Sequence, residues 1–168
     1  MKLTFLELCG FRGYRKPLRI EFSEHFTIID GRNGTGKSTI FDAIEFALTG
    51  QFRKYEDQKA SGETIADYVW WRGEDPGPKE RFVRVGFKDG VDEFCVSRTE
   101  FSDPNTDELS KLEERLCDRR TAPKSALSQL CANAIIRDEQ ITKLSLDMRE
   151  TDRYALLRDA LVAIDSEQ

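Results

Sequence analysis

Scarcity narrows the field first. The chain has one histidine, His25, and four cysteines, Cys9, Cys95, Cys117 and Cys131, with no C-x-x-C pair among them. That spacing indicates neither a zinc site nor a disulfide framework, and the cysteines are expected to be buried or half-buried thiols. No apolar run approaches the length of a membrane span, and the opening Met1-Lys2-Leu3-Thr4-Phe5-Leu6-Glu7 reads as a strand rather than a signal peptide. No membrane partner is expected, and the setting is expected to be intracellular. Basic charge is not in excess either. With 26 Lys and Arg against 31 Asp and Glu, the net charge of −5 argues against a generally basic surface, though it leaves room for a local nucleic-acid patch. With 39% hydrophobic and 34% charged residues, 168 residues suffice for one soluble domain with one good core.

The most informative stretch is Gly31-Arg32-Asn33-Gly34-Thr35-Gly36-Lys37-Ser38-Thr39, which fits G-x-x-x-x-G-K-[ST] at every constrained position. Before it, Phe26-Thr27-Ile28-Ile29-Asp30 is a short apolar run rich in β-branched residues, which predicts a strand buried on both faces. After it, Ile40, Ile44, Ala47 and Leu48 predict one apolar face of a helix from Lys37 to Leu48, with Gly50 as its C-cap. Strand, loop and helix are the context in which such a loop binds phosphate. Glycines at 31, 34 and 36 let the backbone wrap closely, so that successive N–H groups and the helix N-terminus converge on phosphate oxygens. Asn33, Gly34, Thr35, Gly36, Lys37, Ser38 and Thr39 are therefore candidate phosphate-binding residues of a nucleotide site. Lys37 would reach the β- and γ-phosphates, and Ser38 would offer its hydroxyl to Mg²⁺.

Elsewhere the pattern is β-rich. Leu3–Cys9 alternates as a half-buried strand, Gly10–Tyr14 makes a turn, and Leu18–Phe22 alternates strictly as an antiparallel strand with one solvated side. Residues 51–80 are a polar insertion. Within it Thr64–Trp71 forms a short helix or a strand, and the Trp70-Trp71 pair either marks a contact surface or, the favoured reading, covers the core edge. Residues 81–101 give the clearest hairpin, turning at Asp89-Gly90. Helices are expected at Asp107–Cys117, with Leu109, Leu112 and Leu116 on one face, and at Pro123–Asn133.

Ala134-Ile135-Ile136-Arg137-Asp138-Glu139-Gln140-Ile141 admits two readings. As a Walker B strand it would carry Asp138 to magnesium and make Glu139 the base that orients water, but Arg137 would then put a charge in the last buried position. As a Q-loop its working residue is Gln140, a neutral amide able to bind Mg²⁺ and respond to the γ-phosphate without adding negative charge. The Q-loop is preferred. A helix then carries Tyr154, Leu157, Leu161 and Ile164 on one face, capped by Thr151 or Asp152. It is expected to be cut before its end.

The order of these motifs resembles the N-terminal half of the ABC-type ATPase head in SMC-like proteins, especially the SbcC-type ATPases of double-strand-break repair. The resemblance covers nearly all 168 residues. It rests on the Gly10–Tyr14 turn, Asp30 through Thr39, the helix from Phe41 to Gly50, the 81–101 hairpin, and Arg137–Ile141 followed by Arg153-x-x-Leu156-Leu157. It implies an α/β P-loop NTPase fold of ABC type with a β-rich side lobe, residues 134–168 forming the Q-loop and the start of a helix leading to a coiled coil. It further implies that Lys37 and the loop amides bind phosphates, that Ser38 and Gln140 hold Mg²⁺, that Lys37 and Gln140 serve catalysis, and that Arg12 lies near the nucleotide as a sensor. The other reading of Arg12 is a surface arginine in a turn.

No L-S-G-G-Q-like signature, D-loop or switch histidine appears, and Lys143-Leu144-Ser145-Leu146 lacks the paired glycines of a signature. The resemblance thus implies a separate C-terminal lobe, a second head sandwiching ATP, DNA and a nuclease as partners, and a nucleoid-associated cytoplasmic or a nuclear location. The expected activity is an ATPase that acts on DNA when complete, with this chain alone binding ATP but hydrolysing it poorly. Related heads also serve in defence against foreign DNA. An ATP-dependent dimerisation scaffold without catalysis and a small P-loop kinase are the other readings.

Overall fold

The computed structural model describes residues 1–52, 66–73, 76–104, 106–117 and 123–136, together with Thr151 and Tyr154. Met1–Ser128 forms one compact unit, and a second begins at Gln129.

The first unit is built on an antiparallel sheet. Its strands are β1 (Lys2–Cys9), β2 (Leu18–Glu21), β3 (Phe82–Asp89) and β4 (Asp92–Thr99), in the order β2-β1-β3-β4. Alternation sets the register. Leu6 stands opposite Ile20 on one side and Val85 on the other, Leu8 opposite Leu18 and Val83, and Val85 opposite Val96. Slipping any strand by one residue would turn its apolar set to water. Leu6, Leu8, Val83, Val85 and Val96 are fully buried. The alternate positions form a charged row, in which the Glu7 carboxylate lies 3.7 Å from Arg19 and 3.6 Å from Arg84 across its two neighbours.

Helix α1 (Lys37–Thr49) packs against β1, β3 and β4. Ile40, Ala47 and Leu48 are buried as expected, Ile44 only half so, and the buried face extends through Ala43 and Phe46. Gly50 is the left-handed C-cap, its N–H bonded to the Phe46 carbonyl. The last turn of α1 has no basic residue of its own. Arg98 of β4 supplies the positive charge, its Nε donating to the Ala47 carbonyl at 2.9 Å, where the helix dipole favours a cation. Phe11, Phe46, Phe52 and Trp70 form an aromatic cluster with ring centroids 5.3 to 6.1 Å apart. Trp70 therefore belongs to the core, and Trp71 is half-buried with the Arg15 guanidinium 5.5 Å from its ring. The short helix α2 (Ala66–Val69) precedes the pair, and α3 (Thr106–Leu116) and α4 (Pro123–Ala134) match the two later predicted helices.

Two expectations need correction. The β3–β4 turn consists of Gly90-Val91, one residue later than Asp89-Gly90, because Asp89 still pairs with Asp92. Gly90 sits at φ 62°, the positive value that the first central residue of a two-residue hairpin loop requires. Phe26–Asp30 forms no strand, and Phe26 and Ile28 are 74% and 79% exposed. The physical reason is local and tertiary together. The Ser23 N–H donates to Thr27 Oγ1 at 2.8 Å and the Phe26 N–H to Ser23 Oγ at 3.2 Å, closing a turn. Among the described residues no strand runs alongside to take the ladder bonds that a strand buried on both faces needs.

Candidate nucleotide-binding site

The loop that enters α1 is held by its own backbone. Thr35 N–H and Oγ1 both donate to the Arg32 carbonyl, at 3.3 and 2.8 Å, and Thr39 N–H donates to the Gly36 carbonyl at 2.9 Å. Gly34 and Gly36 lie at φ 83° and 95°, a region that other residues enter only with strain. Gly36 is the N-cap of α1. No side chain caps that end, and no acidic residue occupies the first turn. The first N–H groups of a helix have no partner within it, and no acid of its own first turn competes for them. The arrangement fits an anion such as a nucleotide phosphate.

The predicted loop residues come together at this point. Asn33, Gly34, Thr35 and Ser38 are exposed, and Gly36, Lys37 and Thr39 half-buried. Lys37 curls over the loop, its Nζ donating to the carbonyls of Gly31 at 2.5 Å and Arg32 at 2.9 Å. Of the two residues expected to hold Mg²⁺, Ser38 stands in the first turn of α1. Gln140 lies outside the described residues, as do Asp138, Glu139 and the stretch from Arg137 to Glu150.

Arg12 is not the plain surface arginine of the second reading. Its backbone is left-handed at φ 49°, its N–H donates to the Val69 carbonyl at 2.7 Å, and its guanidinium pairs with the buried Asp42 carboxylate of α1. The turn that carries it is thereby tied to the helix following the loop. Sequence reasoning missed Asp42, and it also missed Tyr14, whose hydroxyl donates to the Gly36 carbonyl at 3.2 Å. Neither lies within the loop motif, so no spacing rule points to them.

Comparison with known proteins bears on the family of the chain. A family model described as AAA domain matches residues 6–161. A chain solved in work on ATP-driven dimerization and DNA-stimulated activation of SMC ATPases superposes with a TM-score of 0.63 at 28% identity, over 95% of this chain and 99% of that one. The probable DNA double-strand break repair Rad50 ATPase of Aquifex aeolicus is 39% identical over 89 residues, covering 52% of this chain. Urease accessory protein 2 of Cryptococcus neoformans var. grubii is 30% identical over 172 residues, covering 95% of this chain. The chain spans 8% of the length of the Aquifex protein and 13% of that of the Cryptococcus protein.

Loop and fold together define a P-loop NTPase of the ABC-ATPase type. Within that class the chain belongs to the AAA domain family, as the N-terminal lobe of an SMC-like ATPase head akin to those of Smc and Rad50. The urease name is that of its bearer. Here there is a single histidine and, among the described residues, no group of three His, Cys, Asp or Glu side chains that could hold a metal. No described helix is long and apolar enough to cross a membrane.

Proposed function

We propose that this chain is the ATP-binding half of an SMC-like head whose ATP-driven engagement and hydrolysis act on DNA, in repair, recombination or chromosome maintenance. The observation that carries this reading is the start of α1, uncapped by any side chain, free of acids and preceded by two left-handed glycines, with Lys37 beside it. Loop amides and Lys37 bind the phosphates, and Ser38 together with Gln140 holds Mg²⁺. The metal would neutralise charge developing on the transferred phosphoryl group.

Phosphoryl transfer depends on positioning and charge stabilisation, and the sequence holds no signature motif to supply the opposing donors. The chain therefore binds ATP by itself and hydrolyses it poorly. The exposed Phe26 and Ile28, immediately before the loop, are the surface on which the C-terminal lobe docks, supplying strand neighbours that residues 26–30 do not have among the described residues. A second head then closes over the nucleotide.

The test is steady-state ATPase activity of this chain alone and mixed with a C-terminal lobe, with Lys37→Ala and Gln140→Ala alongside. Activity that appears only on mixing, and that both substitutions abolish, is the expected result. Efficient turnover by the isolated chain would place a complete catalytic site within it and overturn the half-head reading.

A further inference from the structure

Gly36 has a tyrosine against it. A Cβ built on Gly36 would stand 3.0 Å from the Tyr14 hydroxyl and 3.1 and 3.2 Å from two ring carbons, so the ring covers the one residue at which loop becomes helix. The Tyr14 hydroxyl also donates to the Gly36 carbonyl, which accepts from Thr39 N–H as well. Tyr14 is in turn held from behind. Phe11 and Tyr14 exchange backbone bonds of 3.2 and 2.9 Å, Phe11 is fully buried in the aromatic cluster, and Trp71 N–H reaches the Gly10 carbonyl at 2.8 Å. The Arg12–Asp42 ion pair joins the same turn to α1 one helical turn beyond Ser38. Two contacts from one anchored turn thus bracket the first turn of the helix.

We infer that Tyr14 is a positioning residue for nucleotide binding: by covering Gly36 and bonding its carbonyl, it fixes the direction in which the amides of Lys37 and Ser38 point. The inference rests on the nucleotide-binding reading above. It goes beyond the loop motif by assigning part of the phosphate site's order to a residue 22 positions upstream of Gly36. Preorganised donors bind an anion more tightly than donors that must be ordered on binding. Burial raises the pKa of the Tyr14 phenol above its usual value, so the hydroxyl keeps its proton across the physiological range.

The experiment uses this chain with Tyr14→Phe, Tyr14→Leu and Lys37→Ala, and two readouts: the Kd for ATP, and amide hydrogen exchange without nucleotide. Tyr14→Phe is expected to weaken ATP binding about 3- to 10-fold, the effect of one hydrogen bond, and Tyr14→Leu further. Exchange at Thr39, whose N–H bonds the Gly36 carbonyl that Tyr14 holds, is expected to quicken in both variants while the amides of β1 and β3 keep their wild-type rates. A merely structural role would raise exchange in the strands as well and would overturn the proposal. So would wild-type exchange at Thr39 in both Tyr14 variants. If Lys37→Ala abolishes binding and Tyr14→Phe matches wild type, the nucleotide reading stands and the Tyr14 role is overturned. If Lys37→Ala leaves binding unchanged, the nucleotide reading fails, and exchange at Thr39 still decides whether Tyr14 orders the loop.

Discussion

Gly36 concentrates the residue-scale argument, because its backbone angle and its neighbour forbid a side chain independently. At φ 95° a Cβ is strained whatever surrounds it, and the Tyr14 ring leaves only 3.0 to 3.2 Å for one. Gly36→Ala should therefore destabilise the chain by about 1–3 kcal/mol, from left-handed strain together with displacement of Tyr14. Urea unfolding monitored by circular dichroism would measure it, and a loss below a few tenths of a kcal/mol would show that the loop relaxes freely. Gly34 shares the left-handed backbone but has open space around the Cβ position, so Gly34→Ala isolates the strain from the crowding. Arg12 illustrates the limit of residue-by-residue transfer from a family. Its motif position was readable, but its pairing with Asp42, 30 residues on, was not.

At the scale of elements, the β3–β4 hairpin presents a conflict that a third element resolves. Asp89 and Asp92 stand directly opposite each other at the turn, a destabilising pair of like charges. Arg115 of α3 bonds both, at 3.1 and 2.7 Å, and the N-terminal ammonium lies 3.5 Å from Asp89. The Arg115 hydrogen bond, followed by the N-terminal charge, holds the Asp89 carboxyl below its ordinary range. A carboxylate with a lowered folded pKa contributes stability above its unfolded pKa and loses it as pH falls through the folded value. Arg115→Gln should consequently be less stable than wild type at neutral pH, and the gap should close as pH falls below the ordinary aspartate pKa of about 3.9. A gap that stays constant in urea titrations from neutral pH down to pH 2–3 would refute this.

The apolar segment before the loop makes a second element-scale case. Phe26 and Ile28 are largely exposed, so replacing both with aspartate should change the stability of this chain by no more than about 0.5 kcal/mol. If the segment is the seat of the C-terminal lobe, the same double variant should fail to associate with that lobe in size-exclusion chromatography. Unimpaired association would place the contact elsewhere.

For the whole first unit, stability is concentrated where turn, helix and the chain beyond the helix meet. Phe11 comes from the turn after β1, Phe46 from α1, Phe52 from just beyond it and Trp70 from directly after α2, and all four are buried. Phe11→Ala would empty the centre of this cluster at a cost of about 3–5 kcal/mol. That is a large share of the roughly 5–15 kcal/mol that holds a domain together. The variant should unfold at markedly lower denaturant, whereas Val91→Ala, at the 94% exposed hairpin tip, should not. An equal response of the two would mean that the cluster does not anchor the fold.

Much of this architecture is legible in the sequence. Alternation, strict in β2 and looser in β1, marked both strands because a one-sided sheet buries every second residue, and the 81–101 hairpin carried both alternation and a turn glycine. The loop and α1 were legible because G-x-x-x-x-G-K-[ST] is a fixed local order and the helix after it repeats its apolar residues at helical spacing. Residues 26–30 were misread because an apolar β-branched run becomes a strand only if neighbours accept its backbone bonds, and composition cannot report neighbours. By itself the sequence determined the four strands of the sheet, helices α1, α3 and α4 and the glycine-rich loop motif, which follow from interactions within a few residues or from burial periodicity. Only the tertiary structure decided the Tyr14 contact with Gly36, the Arg12 pairing with Asp42 and the Arg115 bridge to Asp89, which join residues 22, 30 and 26 positions apart. Such contacts depend on how the sheet and helices pack, and no local pattern encodes them.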